Sequence, residues 1–253
     1  MSENKGLFDE FSRLCEQDRI MYGSDAEGIG TYNEKRFHRV FKRFVTEDAS
    51  CYEVKIGRFI ADVLCDGHIT EIQTSNFASL KKKIEYYLTE TEYTVSVVKP
   101  LICERKIVRA DKKTGEVKYV RRSPRKESVN DALCDLYYLR DFLTNDRLLV
   151  HLMYVRAEEY RYSERVRYRK KGAFDSDLFP IEIVREEVLC GAQDYLRFMP
   201  QELRSGEDFT VKDYSRHTSI QGIAAYSALN ILVSLGFLQK RTEGKKFIFR
   251  FNC

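Results

Sequence analysis

Apolar positions along the chain change their period repeatedly, and each change marks an element. In LFDEFSRLCEQDRIMY, residues 7–22, Leu7, Phe8, Phe11, Leu14 and Cys15 recur at helical intervals. GSDAEGIGTYN reads as a loop, and NEKRFHRVFKRFV as a second helix with Phe37, Val40, Phe41 and Phe44 on one stripe and Asn33 as its N-cap. Three short strands follow, CYEVKIG, RFIADVL and HITEIQT. A third helix, NFASLKKKIEYYLTE, turns Leu80, Ile84, Tyr87 and Leu88 inward, capped by Asn76 or Ser75. YTVSVVKPLI is a strand closed by Pro100, and KIVRA and EVKYV flank the turn DKKTG. VNDALCDLYYLRDFL is an amphipathic helix and LLVHLMYV a buried strand. This order predicts an α/β chain with a mixed β-sheet flanked by helices.

The pattern changes again after about residue 205. FTVKDYSRHT reads as a short helix, SIQGIAAYSALNILVSLG as a longer one, and FLQKRTEGKKFIFRF as two strands around a glycine turn. Helix, turn, helix and β-wing is the layout of a winged helix-turn-helix domain, placed at 205–253. The boundary before it lies within 190–207, near MPQELRSGED.

Composition narrows the setting. With 43% hydrophobic residues and only 4 Pro and 13 Gly in 253 residues, the chain has a core to bury and little linker. No apolar run is long enough to span a bilayer, and the mixed, charged start MSENKGLFDEFSRL is no signal peptide. Seven scattered cysteines without a Cys-x-x-Cys pair suit reduced thiols in the cytoplasm better than disulfides or zinc. The four histidines show no ligand spacing. A net charge of +4 says little alone. Two stretches say more: ERKIVRADKKTGEVKYVRRSPRK at 104–126, and RYSERVRYRKK at 161–171, where aromatics interleave with cations. Such stripes suit phosphate contact and base stacking, although a solvated hairpin and loop explain them equally well.

The candidate chemistry lies in FIADVLCDGHITEIQT, residues 59–74. If Asp66-Gly67 is a two-residue hairpin turn, Cys65 faces His68, Leu64 faces Ile69, Val63 faces Thr70, and Asp62 faces Glu71. Opposed residues share a face at roughly 4.5–5.5 Å between Cβ atoms, and like charges there are unfavourable unless a proton or a cation intervenes. Two carboxylates are a fit for Mg²⁺ or Mn²⁺, which take carboxylate, water and phosphate oxygens. The plain alternative is a sheet edge with both acids in water, which the apolar neighbours Ile60, Leu64 and Ile69 disfavour.

Asp62 followed by Glu71-x-Gln73, within the order helix, three strands, helix, strand, resembles the PD-(D/E)XK superfamily of restriction-endonuclease-like nucleases. The resemblance covers roughly 30–100. The whole chain also looks like an uncharacterised bacterial group that joins such a core to a C-terminal winged helix. The chain is then expected to comprise a helical extension at 1–30 and a nuclease-like α/β domain at 31–190, and the resemblance implies a metal-dependent DNA endonuclease. In that reading Asp62 and Glu71 hold the metal, with the Ile72 carbonyl as a third ligand, and Glu34 on the preceding helix supports it. Where the family's pattern has Lys, this chain has Gln73, which hydrogen-bonds but carries no charge. Some members of the superfamily replace this Lys or recruit one from the following helix. Lys81, Lys82 and Lys83 lie there, and Lys83 is the expected substitute.

Other candidates have plainer readings. Glu53 reads as a strand-edge acid paired with Lys or Arg, and His38 and His68 as structural or exposed. In the winged helix, Gln221, Tyr226 and Asn230 would face a groove, and Arg216, Lys240, Arg241, Lys245 and Lys246 would meet phosphates. DNA is the expected partner, with RNA as a further option. A homodimer fits, since cutting both strands needs two sites. The competing function is a catalytically inactive nuclease-fold DNA-binding protein, a regulator or assembly factor, which Gln73 in place of Lys favours.

Overall fold

Asp66 and Gly67 both adopt positive φ, 48° and 77°, as a two-residue type I′ turn requires. The computed structural model describes residues 3–21, 32–111, 114, 116–162 and 175–252. Of the loop expected at 23–33, residues 23–31 lie outside the described residues, as does most of the basic stretch 161–171; the second helix already begins at Tyr32, so Asn33 lies inside it rather than capping it.

Two helices open the chain, α1 (Glu3–Met21) and α2 (Tyr32–Val45). Then come β1 (Tyr52–Ile56), β2 (Phe59–Cys65), β3 (His68–Ile72), α3 (Lys81–Glu90), β4 (Thr94–Ala110) and β5 (Val117–Arg122). They are followed by α4 (Val129–Leu136), β6 (Leu148–Tyr162) and β7 (Asp175–Cys190). The C-terminal elements are β8 (Asp208–Thr210), α5 (Val211–His217), α6 (Gly222–Ser234), β9 (Leu238–Glu243) and β10 (Lys246–Phe251). The larger sheet is mixed, in the order β1-β2-β3-β4-β6-β7 with β5 on β4; β8-β10-β9 form a smaller one. The fold is therefore α/β, a large mixed sheet with helices against it. The chain divides into two compact units, each assembled from three stretches.

The first unit comprises 1–65, 100–127 and 153–186. Here α1 packs on α2 through Phe11, whose ring lies 4.9 Å from Phe41 and 5.2 Å from Phe44. Asp18 is buried, and its carboxylate accepts a forked pair of bonds from Arg39. β1 and β2 pair antiparallel, Ile56 opposite Phe59. The far half of β4 pairs antiparallel with β5, Lys106 opposite Arg122, and every β5 residue is exposed.

The second unit comprises 66–99, 128–152 and 187–253. β3 runs parallel to the first half of β4, Glu71 opposite Val97. α3 buries Ile84, Tyr87 and Leu88, the stripe its sequence predicts. α6 buries Ala224, Ala225, Ser227 and Ala228, small residues that let a neighbouring helix come close. α4 is that neighbour, and Asn130 Nδ2 on it donates to the Ser219 carbonyl at 3.4 Å.

Three sequence expectations need correction. β4 runs straight through Pro100, which does not close it. Pro100 lies between the stretch paired with β3 (94–98) and the stretch paired with β5 (106–110), so the ladders to β3 and β5 do not need its missing N–H. The third helix starts at Lys81, not near Asn76. Residues 77–80 turn instead, burying Phe77, while the Asn76 side chain accepts from the Ala78 amide at 3.0 Å. FTVKDYSRHT begins as strand β8, and Thr210 then caps α5 through a capping box with Asp213.

Candidate functional site

Alternation along β3 turns Glu71 to the face covered by α3. Its carboxylate is 3% exposed. Lys83 and Tyr87 lie four residues apart on α3 and so reach the same spot. Lys83 Nζ donates to Glu71 Oε2 at 2.6 Å, and the Tyr87 hydroxyl donates to Oε1 at 3.2 Å. A buried carboxylate is tolerated only when paired and hydrogen-bonded, and both conditions are met here. The three successive lysines separate cleanly. Lys81 bonds Asp141 at 2.8 Å, holding that carboxyl below its ordinary value; Lys82 is exposed; Lys83 reaches Glu71.

Gln73 continues the strand, its amide N donating to the Val98 carbonyl at 2.9 Å. Its side chain turns along the chain instead, Nε2 donating to Ser75 Oγ at 2.6 Å and the Asn76 carbonyl at 3.0 Å. Lys99 holds the same loop. It is 5% exposed, donates to the carbonyls of Thr74 (3.3 Å) and Ser75 (2.9 Å), and pairs with Asp135 at 2.7 Å.

Asp62 belongs to the first unit, where α2 supplies its surroundings. Its Oδ1 lies 3.6 Å from His38 Nδ1 and 3.8 Å from Lys42 Nζ. Lys42 also bonds Glu53 at 3.2 Å, the pairing expected for that acid, and Glu53 takes a positive φ of 53° in β1. Glu34 falls within α2, and its side chain lies outside the described residues. Among the described residues, no group of three or more His, Cys, Asp or Glu side chains forms a metal cluster. A magnesium or manganese ion would find in Glu71 the hard oxygen donor it prefers, beside an ammonium that offsets the same charge.

The C-terminal residues expected to meet nucleic acid are largely engaged with one another. Gln221 Nε2 donates to the carbonyls of Ser215 (2.6 Å) and Thr218 (3.3 Å), closing the turn between α5 and α6. Asn230 donates to the Tyr226 carbonyl at 2.6 Å and accepts from Lys240 at 2.9 Å; Lys240 also lies over the Phe247 ring. Arg216 pairs with Asp213 at 3.0 Å. Arg241 pairs with Asp208 and Glu243, and bonds from Arg241 and then Arg250 hold the Asp208 carboxyl far below its ordinary value. Lys245 and Lys246 are exposed at the hairpin tip, where Gly244 takes a φ of 58°. The outward face of α6 is uncharged, with Ile223 78% and Tyr226 46% exposed.

The basic stretch at 104–126 is likewise interleaved with acids. Lys106 pairs with Glu158 at 2.8 Å and Arg105 with Glu159 at 3.3 Å. Burial works to raise both carboxyls, but the bonds from Lys106 and from Arg161 and Arg105 bring them below their ordinary values.

Sequence reasoning picked out Glu71 and Lys83 but missed Tyr87 as a donor, counting it only as core. It also missed Lys99, although a lysine inside the apolar run VSVVKPLI is itself a sign of a buried partner.

A sequence profile described as a domain of unknown function, DUF8091, matches residues 35–190. That range contains Asp62, Glu71 and Lys83 and stops before α5 and α6. The chain is also similar to an uncharacterized protein of Treponema pallidum (strain Nichols), with 29% identity over 162 residues. The match spans 62% of this chain and 63% of that protein's length. No solved structure matches.

Proposed function

The chain belongs to the DUF8091 family, and we propose that it is a metal-dependent DNA endonuclease of the PD-(D/E)XK kind that hydrolyses phosphodiester bonds. One observation carries the proposal: Lys83, on the helix after the Glu71 strand, bonds the Glu71 carboxylate at 2.6 Å. That is the cation the superfamily pattern calls for and Gln73 does not supply. Glu71 would help hold Mg²⁺ or Mn²⁺, and Asp62 is assigned the same role by the resemblance. When bound, the ion lowers the pKa of a water and offsets charge on the phosphate. Lys83 would orient the nucleophilic water or contact the phosphate, and Tyr87 would fix the Glu71 carboxylate. The Lys99 bonds would keep the 73–76 loop in place beside it.

Targeting falls to residues 205–253, read as a winged helix with Lys245 and Lys246 on its wing. The exposed β5 strand, with Tyr119 and Arg121, offers a second contact surface. A cytoplasmic setting belongs to the same reading. No described helix is long and apolar enough to cross a membrane, and Cys15, Cys103, Cys134 and Cys190 are thiols outside any disulfide.

The test is cleavage of supercoiled and branched DNA with Mg²⁺ or Mn²⁺ by wild type, Glu71→Gln, Lys83→Met and Asp62→Asn. Metal-dependent cutting that disappears in all three variants is the expected result. A second reading, an inactive nuclease-fold DNA-binding protein, is favoured by the Gln73 amide being spent on its own loop. DNA binding without cutting on any substrate would establish it instead.

A further inference from the structure

The other face of β3 carries a separate group. His68 Nε2 lies 2.9 Å from Ser96 Oγ, and His151 Nε2 lies 3.2 Å from the same oxygen. The three residues come from β3, β4 and β6 within the second unit. Ser96 is buried, while His68 and His151 are half-buried. Two imidazole nitrogens therefore converge on one point, held there by sheet backbone rather than by loops.

We infer that His68, Ser96 and His151 form a binding site for a borderline transition-metal ion of the zinc class, completed by solvent.

The chemistry of the donors supports this. Imidazole nitrogens suit Zn²⁺, Ni²⁺ and Cu²⁺ rather than Mg²⁺, so the ion differs from the one proposed for Glu71. Neutral imidazole is the ligating form. His68 has its pKa held below the ordinary value, first by burial and then by the nearby His151. The serine hydroxyl has one proton to give. It donates to one ring and accepts from the other, so one Nε2 carries a proton in the metal-free state. Binding requires that ring to shift its proton from Nε2 to Nδ1, a tautomeric change with no net proton release. Zinc–nitrogen bonds of about 2.0–2.1 Å require the ion between the two Nε2 atoms, with the hydroxyl displaced to one side. There the Ser96 oxygen serves as a third ligand or as a hydrogen-bond partner of bound water.

The experiment is a Zn²⁺ titration of the full chain, followed by the imidazole nitrogen resonances of ¹⁵N-histidine-labelled protein. Equilibrium dialysis of wild type, His68→Gln, His151→Gln and Ser96→Ala runs beside it. The expected result is a shift of both Nε2 signals at one equivalent, and affinity at least about 10-fold weaker in each histidine variant. Ser96→Ala should weaken binding less. Because the ring signals are read in wild type, a variant that fails to fold does not decide the question. The proposal is overturned if neither ring responds, or if only one does. It is also overturned if the histidine variants take up zinc as wild type does, which would assign the ion to other side chains. Glu71→Gln should bind zinc normally whatever the outcome of the cleavage assay.

Discussion

Lys83 Nζ sits 2.6 Å from Glu71 Oε2, with Glu71 3% exposed and Lys83 partly so, and a helix and a strand are joined by a charge pair whose carboxylate is out of water. Such a pair repays its desolvation only while both members are present. Lys83→Met should cost about 3 kcal/mol, because the buried carboxylate loses its cation, and Glu71→Gln should cost less, because Lys83 is partly exposed. The double variant should cost clearly less than the two added together. Urea unfolding of the four proteins gives the coupling. Additive losses would mean that the pair is not coupled in solution, and would remove the main support for the nuclease reading.

Much of this pair was legible in the sequence because it obeys helical geometry. Ile84, Tyr87 and Leu88 define the buried stripe of α3, and Lys83 precedes Tyr87 by four residues, so it shares that side while Lys82 does not. The Asp66-Gly67 turn was legible because few pairs accept positive φ at both positions. The Tyr87 hydroxyl bond was not, since burial of an aromatic ring looks the same with or without a partner for its oxygen. The true start of α3 was hidden for a similar reason. Asn76 is a good cap by composition, but burial of Phe77 holds 77–80 in turns first. His68, Ser96 and His151 meet only because three strands far apart in sequence become neighbours, and no local pattern records that.

Lys99 ties the 73–76 loop to α4 through Asp135. Lys99→Met should destabilise by about 3 kcal/mol, leaving a largely buried carboxylate to find other partners. Its local signature should be larger than its global one. Backbone amides of residues 74–78 should exchange with deuterium faster in the variant under conditions where β3 and α3 remain protected. Unchanged exchange across the loop would show that Gln73 and Asn76 hold it without Lys99.

The His68 pair gives stability a pH dependence of known sign. His68 titrates below its ordinary 6.5 in the folded chain. Between the two values, the unfolded chain carries a proton that the folded chain does not, so lowering the pH favours unfolding. The contribution is complete above 6.5 and disappears as the pH falls toward the folded value. In metal-free protein, the urea midpoint should fall between about pH 7.5 and 5, and fall less in His68→Gln. Carboxylates add their own acid sensitivity below that window, so the comparison with the variant isolates the histidine. Identical pH profiles would place His68 outside the linkage.

Lys245 and Lys246 differ from the other C-terminal cations. Arg216 and Arg241 are already engaged by Asp213, Asp208 and Glu243, and Lys240 by Asn230, whereas the two lysines stand exposed at the hairpin tip. If this hairpin is a wing that lies on phosphates, those two supply much of its counterion release. Duplex DNA affinity should fall for Lys245→Ala and Lys246→Ala by similar factors on every sequence. In the double variant, the slope of log affinity against log salt should shrink by about 1.8, near 0.9 for each phosphate no longer neutralised. The uncharged outward face of α6 provides the opposing expectation. If Ile223 and Tyr226 dock a protein instead, Ile223→Asp leaves DNA affinity intact and the lysine variants leave the salt slope where it was. An unchanged slope would therefore move nucleic-acid binding away from residues 205–253, leaving β5 as the surface to test next.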